Sequence, residues 1–355
     1  MIVYYLSREM AAFFDVAIVG GGPAGAVSAL CLARRGFRVA LVEATRFEGE
    51  RYGETLPPEI NPVLRELGLW DAFSELRPVQ APGILSAWGA GLPAEQDFIS
   101  NAHGSGWHID RNRFDAMLGF EAGRAGVAVF VGCKALPSRH PAGHWQVGNI
   151  DAAFLVDASG RTGLRLSEEH SYETDDRLLA IVLWLEGAEA TDLRTLIETT
   201  PQGWWYTAPI PDDRSVAMFF TDPEIYNGQG IVLGEQLEFA PLTARRLQSS
   251  RILTSRVVDV PSACRLTLSG DGWLAVGDSA SAYDPLSGRG IFKAFRHGMG
   301  AADAIASGRP DEHAEYAARV RREFDEYVRQ RRMYYASERR WPESVFWGKR
   351  TGARR

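Results

Sequence analysis

The chain has 355 residues, more than a single hydrophobic core normally accommodates, so two lobes are expected. Its 45% hydrophobic and 24% charged residues are typical of a globular protein and exclude a mostly disordered chain. A formal net charge of -6 provides no basic field for nucleic acid or an anionic membrane surface, so small molecules or proteins are the expected partners.

The cysteines and the apolar runs indicate the compartment. Cys31, Cys133 and Cys264 are widely spaced and form no metal-ligand or C-x-x-C arrangement, which argues against disulfides and against a metal site. The first ten residues lack the apolar core of a signal peptide, and no later run approaches the roughly 20 apolar residues of a membrane span. A cytoplasmic protein is expected, in which Met10 is an alternative start to Met1.

A strand, a glycine turn, a helix and a second strand open the chain. Residues 14–19 and 38–43 are short, apolar and rich in β-branched side chains, whereas residues 24–35 favour a helix. Two strands joined by one helix form a right-handed parallel β-α-β unit. The sequence therefore predicts an α/β fold with a doubly wound, Rossmann-like parallel sheet, which strands at 127–131 and 153–157 would extend.

The turn GGGPAG at residues 20–25 matches the pattern G-x-G-x-x-G in its proper strand-to-helix context. Gly20 permits the tight turn, Gly22 lets the backbone approach a pyrophosphate, and Gly25 lets the helix pack against the strand. An acidic residue at the end of the second strand can accept hydrogen bonds from ribose hydroxyls. The residues predicted to bind the ADP half of a dinucleotide are Gly20, Gly22, Pro23, Ala24, Gly25 and Glu43.

Alternating, Trp- and Thr-containing runs between about 165 and 265 predict a mostly antiparallel sheet in an inserted lobe. A buried-strand pattern returns at 272–278, a helix is predicted at 290–306, and a charged helix follows Pro310. The predicted domains are a discontinuous FAD-binding domain (14–75, 105–164 and 265–308), a substrate domain (76–104 and 165–264) and a C-terminal helical tail (309–355).

A second segment, GDSA at 277–280 and DPLSGRGI at 284–291, distinguishes FAD from NAD. Asp278 can bond a ribityl hydroxyl, and the glycine-rich turn presents backbone N–H groups to an isoalloxazine ring. A helix that begins near Gly290 directs partial positive charge to the side of the ring where negative charge accumulates on reduction. The predicted contacts to the flavin ring are Pro285, Gly288, Gly290 and Ile291.

Together these motifs resemble the FAD enzymes typified by para-hydroxybenzoate hydroxylase, a group that includes geranylgeranyl reductases and flavin-dependent halogenases. The resemblance covers roughly residues 14–306. RNRFD at 111–115 resembles the family's R-x-x-F-D-like helix start, and DASG at 157–160 its D-x-x-G strand end. The resemblance implies that Arg111 contacts the FAD pyrophosphate or ribityl region, and that Asp157 and Gly160 belong to the cofactor site.

Two further segments resemble the halogenase branch. RYGETLPP at 51–58 is similar to a G-E-S/T-L-P loop that runs toward the flavin, which adds Arg51 and Glu54 to the predicted site; a helix cap and turn is the alternative. GWWYTAPIP at 203–211 is similar to W-x-W-x-I-P, but Tyr206 replaces the second Trp. This strand fits a wall between flavin and substrate or the core of the inserted sheet. The candidate catalytic residues are Glu54, Trp204, Tyr206, Pro285 and Gly288.

Flavin-dependent halogenases use a lysine, and the resemblance implies that it would lie shortly after the Gly53 loop. In this chain no lysine precedes Lys134. The overall pattern is most similar to halogenase-like flavoproteins that mature quinone-cofactor amino acid oxidases. His103, His108 and His297 are candidate acid–base groups without a recognisable partner in the sequence.

The resulting prediction is an FAD-dependent monooxygenase that hydroxylates an aromatic or protein side-chain substrate through a flavin C4a-hydroperoxide. The alternatives are a double-bond reductase of the geranylgeranyl-reductase type, a halogenase-like protein without the halogenase lysine, and a non-catalytic flavoprotein maturation factor. Because no second G-x-G-x-x-G domain is present, NAD(P)H would bind transiently as electron donor, or a separate flavin reductase would supply the electrons.

Overall fold

The computed structural model describes residues 3–4, 13–89, 91–134, 136–166, 171–187, 192–229 and 231–351, so both candidate start residues, Met1 and Met10, lie outside these ranges. The helices are α1 (Pro23–Ala33), α2 (Ile60–Glu66), α3 (Trp70–Glu75), α4 (Arg111–Arg124), α5 (Pro223–Gln229), α6 (Leu233–Glu238), α7 (Pro241–Leu247), α8 (Gly290–Ala306), α9 (Pro310–Ala336) and α10 (Val345–Gly348). The strands are β1 (Val3–Tyr4), β2 (Phe13–Val19), β3 (Val39–Glu43), β4 (Thr55–Leu56), β5 (Val79–Ala81), β6 (Gly83–Ala87), β7 (Ala94–Asp97), β8 (Gly106–His108), β9 (Ala128–Val131), β10 (Pro137–Arg139), β11 (Trp145–Val147), β12 (Ile150–Asp157), β13 (Tyr172–Asp176), β14 (Leu179–Glu186), β15 (Thr195–Thr200), β16 (Gly203–Ile210), β17 (Arg214–Thr221), β18 (Arg251–Asp259), β19 (Ser262–Arg265), β20 (Ser269–Gly270), β21 (Trp273–Ala275) and β22 (Ser281–Ala282).

The main sheet has the strand order β1-β9-β3-β2-β12-β11-β10, and β21 pairs with β12. Strands β9, β3, β2, β12 and β21 run parallel, and every residue of β3 is buried, as expected for a parallel strand covered on both faces. The predicted doubly wound parallel sheet is therefore confirmed, and β10 and β11 add an antiparallel edge to it.

Small residues let two helices approach each other closely on this sheet. A Cβ added to Gly298 in α8 would lie 2.8 Å from the carbonyl oxygen of Ala24 in α1. Because no larger side chain fits at such a separation, the backbones of α1 and α8 pack almost directly on one another. This contact joins the beginning of the chain to the segment near residue 290.

The carboxyl ends of the parallel strands meet at one edge of the sheet. Strand β2 ends at Val19, β3 at Glu43, β12 at Asp157 and β21 at Ala275. In open α/β sheets, ligands bind in the crevice outside these ends. The motifs that follow the four strands are thereby brought together although they are far apart in sequence.

The second sheet has the order β18-β14-β17-β16-β15-β6-β7 and is antiparallel except for the β15–β6 pair. Alternate residues of β14 enter two different clusters: Val182 and Trp184 face one, and Leu183 and Leu185 the other. The mostly antiparallel second sheet is thus confirmed, and both of its faces are buried at β14.

The C-terminal helices pack against the rest of the molecule. In α9, Tyr316, Val320 and Phe324 are buried at the helical spacing expected from the sequence, and Phe346 and Trp347 in α10 are fully buried in the core of the second sheet. Residues after 309 therefore complete both hydrophobic cores. None of the described helices is long and apolar enough to cross a membrane.

Arg331 connects α9 to three carboxylates. Its side chain is 5% exposed, and it lies 3.0 Å from Asp284, 3.1 Å from Asp175 and in contact with Asp176. The Tyr335 hydroxyl also donates to Asp284, at 2.7 Å. Asp175 and Asp176 also pair with Arg332 and Arg350, whereas Arg331 is the one cation that pairs with Asp284 among the described residues.

We expect Arg331→Met to lower the free energy of unfolding by about 3–5 kcal/mol, because it leaves the buried Asp284 without a salt-bridge partner. Arg329→Met is the matched control: Arg329 lies on the same helix, its side chain is 69% exposed, and its partner is the exposed Glu326. We expect that control to change stability by no more than about 0.5 kcal/mol. Urea unfolding monitored by tryptophan fluorescence measures both, and equal losses would contradict the central role of Arg331.

Candidate functional site

A cavity of about 570 Å³ lies between the carboxyl edge of the main sheet and the second sheet. This volume is within the range of small-molecule and cofactor sites. One wall comes from the segments that follow β2, β3, β12 and β21, and the other from side chains of β14, β16 and β17. Both lobes therefore contribute to a single site.

The glycine turn forms one end of the cavity, where Gly20, Gly22, Pro23 and Ala24 line the wall. Gly20 has φ +111°, and a Cβ there would lie 2.1 Å from the carbonyl oxygen of Ala158. A Cβ on Gly22 would meet no atom within 4 Å. Gly25 does not line the cavity; a Cβ there would lie 1.9 Å from the Gly20 carbonyl oxygen, so its role is packing.

Glu43 lies beside this turn, 6% exposed, at the end of β3. Its Oε2 accepts a 2.7 Å hydrogen bond from the Gly21 amide, and its Oε1 accepts a 3.0 Å bond from the Thr45 amide. Arg51 reaches Glu43 Oε1 at 3.1 Å and Asp115 at 2.7 Å. The carboxylate is thus held between the glycine turn and the arginine of the following loop.

Arg111, the first residue of α4, supports the loop at 51–54. Its guanidinium donates to the carbonyl of Tyr52 at 2.6 Å and to that of Gly53 at 3.2 Å, and it pairs with the buried Asp115 at 3.1 Å. Arg51, Glu54 and Arg111 all line the cavity. The R-x-x-F-D-like segment and the G-E-T-L-P loop therefore meet at one place.

Asp157 does not line the cavity, although the sequence placed it in the cofactor site. It is fully buried, and its Oδ2 accepts bonds from Arg265 at 2.7 Å and from the Leu164 amide at 2.8 Å. Its Oδ1 accepts from Ser159. Asp157 thereby shapes the loop after β12, and residues of that loop, including Gly160, do line the cavity.

Asp278 faces the cavity between two cations. Lys293 Nζ donates to Oδ1 at 2.8 Å, and Arg161 Nε lies 3.3 Å from Oδ2. Burial alone would raise the pKa of Asp278, but these two positive charges lower it to about 2. Sequence reasoning missed Lys293 and Arg161, because Lys293 lies inside a helix and Arg161 directly follows the DASG motif, whose pattern does not include it.

The second glycine-rich turn closes this side. Pro285, Gly288, Gly290 and Ile291 line the cavity, and α8 begins at Gly290, as the sequence predicted. Gly288 has φ +59°, which favours glycine. The unsatisfied N–H groups at the start of α8 therefore lie beside the cavity.

The opposite wall comes from the second sheet and is largely apolar: Ala180, Met218 and Phe220 line it together with Tyr206. Trp204, a candidate catalytic residue, does not line it. Trp204 is fully buried, stacks on Phe220 at a centroid distance of 4.0 Å, and donates its indole N–H to the Tyr335 hydroxyl at 3.0 Å. Trp204 thus fills the core of the second lobe, whereas Tyr206 reaches the cavity.

Glu54 and Tyr206 meet at this wall. Glu54 is 2% exposed; its Oε2 accepts a 2.9 Å bond from the Gly53 amide, while its Oε1 has no hydrogen-bond partner among the described residues. Burial raises the pKa of Glu54, and the nearby Tyr206 hydroxyl opposes this effect only in part. The Tyr206 hydroxyl itself contacts Thr55, a residue that sequence reasoning did not single out.

Within the described part of the chain, no group of three or more His, Cys, Asp or Glu side chains could hold a metal ion.

Comparison with known proteins places this geometry in a family. The family model for tryptophan halogenases matches residues 90–354, and the model for an FAD binding domain matches residues 14–134. The two models overlap and together cover both lobes.

Individual proteins agree with this match. The putative FAD-dependent oxidoreductase LodB of Marinomonas mediterranea is 29% identical over 357 residues, covering 95% of this chain and 96% of that protein. The flavin-dependent halogenase CmlS superposes with a TM-score of 0.85 at 24% identity, covering 96% of this chain and 68% of CmlS. QhpG, described as a peptidyl tryptophan dihydroxylase essential for tryptophylquinone cofactor biogenesis, superposes with a TM-score of 0.75 at 24% identity, covering 96% of this chain and 79% of QhpG.

At these identities the two structures establish the fold alone. The family model, however, spans most of the chain, and the FAD-binding model includes the glycine turn and Glu43. The protein is accordingly an FAD-dependent oxidoreductase that belongs to the tryptophan halogenase family.

Proposed function

We propose that this protein is a monooxygenase that hydroxylates an aromatic or protein side-chain substrate. The observation that carries the proposal is the distribution of lysines, because halogenases of this type use one near the substrate. Lys134 lines the cavity near Glu43, at the end with the glycine turn, Lys293 is bonded to Asp278, and Lys349 pairs with Asp222 on the second lobe. The wall around Tyr206 and Glu54 carries aromatic, apolar and acidic groups instead.

The relatives support the same direction. QhpG is described as a peptidyl tryptophan dihydroxylase, and LodB, which matches over nearly its full length, is described as a putative FAD-dependent oxidoreductase. A protein side chain is therefore our preferred substrate, and an aromatic small molecule is the alternative within the same chemistry.

The residues at the cavity fit FAD. Gly22 leaves open space where a pyrophosphate can approach the backbone and the N-terminus of α1, and Glu43 lies where ribose hydroxyls can donate to it. Arg111 and Asp278 would hold the middle of the cofactor. The turn from Pro285 to Ile291 would contact the flavin ring.

When bound and reduced, FAD would supply two electrons to dioxygen, which with two protons would put one oxygen atom into a substrate C–H bond and release the other as water. The protein's own contribution is to bind, orient and exclude solvent. Ala180, Met218 and Phe220 form an apolar wall that keeps bulk water away, and Tyr206 and Glu54 provide the polar groups on that wall. The electrons come from transient NAD(P)H or from a separate flavin reductase.

A second candidate function is halogenation, which the tryptophan halogenase family model favours. It requires a halide and a group that passes the halogen to the substrate. The two functions differ in the atom added to the product.

We expect the reduced, FAD-loaded protein to transfer a labelled oxygen atom from dioxygen to tryptophan- or tyrosine-containing peptides, as measured by mass spectrometry with halide present. An anaerobic sample is the control. A chlorinated or brominated product would establish the halogenase instead, and a product saturated without oxygen would establish the double-bond reductase. Binding of a protein partner without any product would favour the maturation factor.

We expect Gly22→Ala to raise the dissociation constant of FAD about tenfold or more, because a methyl group occupies the space of the pyrophosphate; tenfold is about 1.4 kcal/mol. The fold should persist, since the added Cβ meets no protein atom within 4 Å. Gly91→Ala, which also meets no atom within 4 Å and lies in the loop between β6 and β7, is the control. Titration of apoprotein with FAD, followed by flavin fluorescence, measures both variants; equal affinities would contradict the assignment.

The cluster at Asp278 carries a net positive charge, because one carboxylate faces Lys293 and Arg161. Lys293 is 5% exposed and also donates to the carbonyl of Ser281. Burial lowers the pKa of Lys293, but Asp278 opposes this effect. With the start of α8 nearby, the excess positive charge should stabilise the negative charge that a flavin gains on reduction.

Lys293→Met should therefore make the midpoint potential of the bound flavin more negative, measured by equilibration with redox dyes. Arg296→Met is the control: it removes the same charge from the exposed side of the same helix and should leave the potential nearly unchanged, because solvent screens it. A potential that shifts equally in both variants, or in neither, would contradict a specific role for Lys293.

A further inference from the structure

A chain of hydrogen bonds begins at the cavity wall and ends in the backbone of the second lobe. The Tyr206 hydroxyl lies 2.5 Å from Thr55 Oγ1, and Thr55 Oγ1 lies 3.0 Å from His108 Nδ1. His108 Nε2 in turn lies 3.0 Å from the carbonyl oxygen of Leu193. The antiparallel pairing of β4 with β8 places Thr55 directly opposite His108.

The Leu193 carbonyl, at the end of this series of hydrogen bonds, determines which atom donates in each of them. The Leu193 carbonyl can only accept, so Nε2 of His108 carries the proton. Burial lowers the pKa of His108 to about 4, although the carbonyl opposes this, so the imidazole is neutral and Nδ1 is an acceptor. Thr55 must then donate to Nδ1, and its oxygen is left to accept from the Tyr206 hydroxyl.

This direction has a consequence for Glu54. The Tyr206 proton is committed to Thr55, so the Tyr206 oxygen offers lone pairs to its surroundings. With its proton turned to Thr55, Tyr206 does not make the hydrogen bond to Glu54 that would lower the pKa of this carboxyl, so burial, which raises the pKa, prevails. Its Oε2 already accepts from the Gly53 amide, which leaves Oε1, without a partner among the described residues, as the place for a proton.

The other charged groups near this pair are engaged elsewhere. Arg111, which favours an ionised Glu54, is bonded to two backbone carbonyls and to Asp115. Arg246, the cation that acts on Tyr206 and His108, donates to Thr207 and pairs with Asp192. Neither guanidinium makes a hydrogen bond to Glu54 among the described contacts.

We propose that Glu54 is a neutral carboxylic acid in the working protein, whose Oε1–H donates to a carbonyl oxygen of the bound flavin or substrate, and that the chain Tyr206–Thr55–His108 positions it in this state. Glu54 would be the catalytic residue, and the other three would be positioning residues. The halogenase-like motif has Trp at the position of Tyr206; an indole N–H could donate to Thr55, but it has no oxygen lone pairs to present to Glu54.

The inference depends on the cavity and not on which atom the enzyme transfers, so its test can fail while hydroxylation stands. The FAD-loaded protein is studied by infrared difference spectroscopy. We expect a protonated carboxyl band that persists at neutral pH and is lost in Glu54→Gln. Absence of that band from the native protein would overturn the proposal.

Three variants separate the effect of the hydrogen-bond chain from that of burial alone. Thr55→Val releases the Tyr206 proton to donate to the Glu54 carboxylate, which stabilises the ionised form, so the carboxyl band should titrate at lower pH than in the native protein. Tyr206→Phe provides no such donor, so the band should stay at its native position. Thr55→Ser keeps the hydroxyl and should restore native behaviour. Identical titration in Thr55→Val and Tyr206→Phe would overturn the positioning role.

A second pair of variants identifies the acceptor. Glu54→Gln keeps an N–H donor, whereas Glu54→Met keeps a similar volume without one. If Glu54→Met binds FAD about tenfold more weakly than Glu54→Gln, the acceptor is a flavin oxygen. Equal FAD binding with a higher KM for the peptide substrate of the hydroxylation assay would assign it to the substrate. Equal behaviour of the two variants in both measurements would overturn the donor role.

Discussion

The contact between the glycine turn after β2 and the strand end after β12 is the constraint on which the site depends. A Cβ on Gly20 would lie 2.1 Å from the Ala158 carbonyl oxygen, and one on Gly25 would lie 1.9 Å from the Gly20 carbonyl oxygen. Only glycine lets the turn, helix α1 and the neighbouring strand approach this closely. Because they do, the N-terminus of α1 and the loop around Gly160 border one cavity.

Helix α9 has a comparable role for the other lobe. Arg331 and Tyr335 both bond to Asp284, which begins the turn before α8, while the Tyr335 hydroxyl also accepts from Trp204 in the core of the second sheet. One helix thus links the glycine-rich turn at the cavity to the packing of the opposite wall. The charged tail is an integral part of the fold and, through Asp284, of the site.

The cavity has two ends of different electrostatic character. Around Asp278, two cations and the start of α8 give an excess of positive charge. Around Glu54, the buried carboxyl and the Tyr206 hydroxyl are polar groups with little charge, and they lie among apolar side chains. A flavin that carries negative charge when reduced suits the first end, and an uncharged aromatic substrate suits the second.

The sequence by itself determined the parallel sheet, the glycine turn with Glu43, the GD segment, and the start of α8 at Gly290, because these depend on local spacing and backbone conformation. Only the tertiary structure decided that Trp204 lies in the core and Tyr206 at the cavity, and that Asp157 supports a loop behind the cavity wall. It also brought together Thr55, His108 and Tyr206, and placed Lys293 behind Asp278. Such contacts join residues that are far apart in sequence, and neither hydrophobic periodicity nor motif spacing records which buried polar groups will meet.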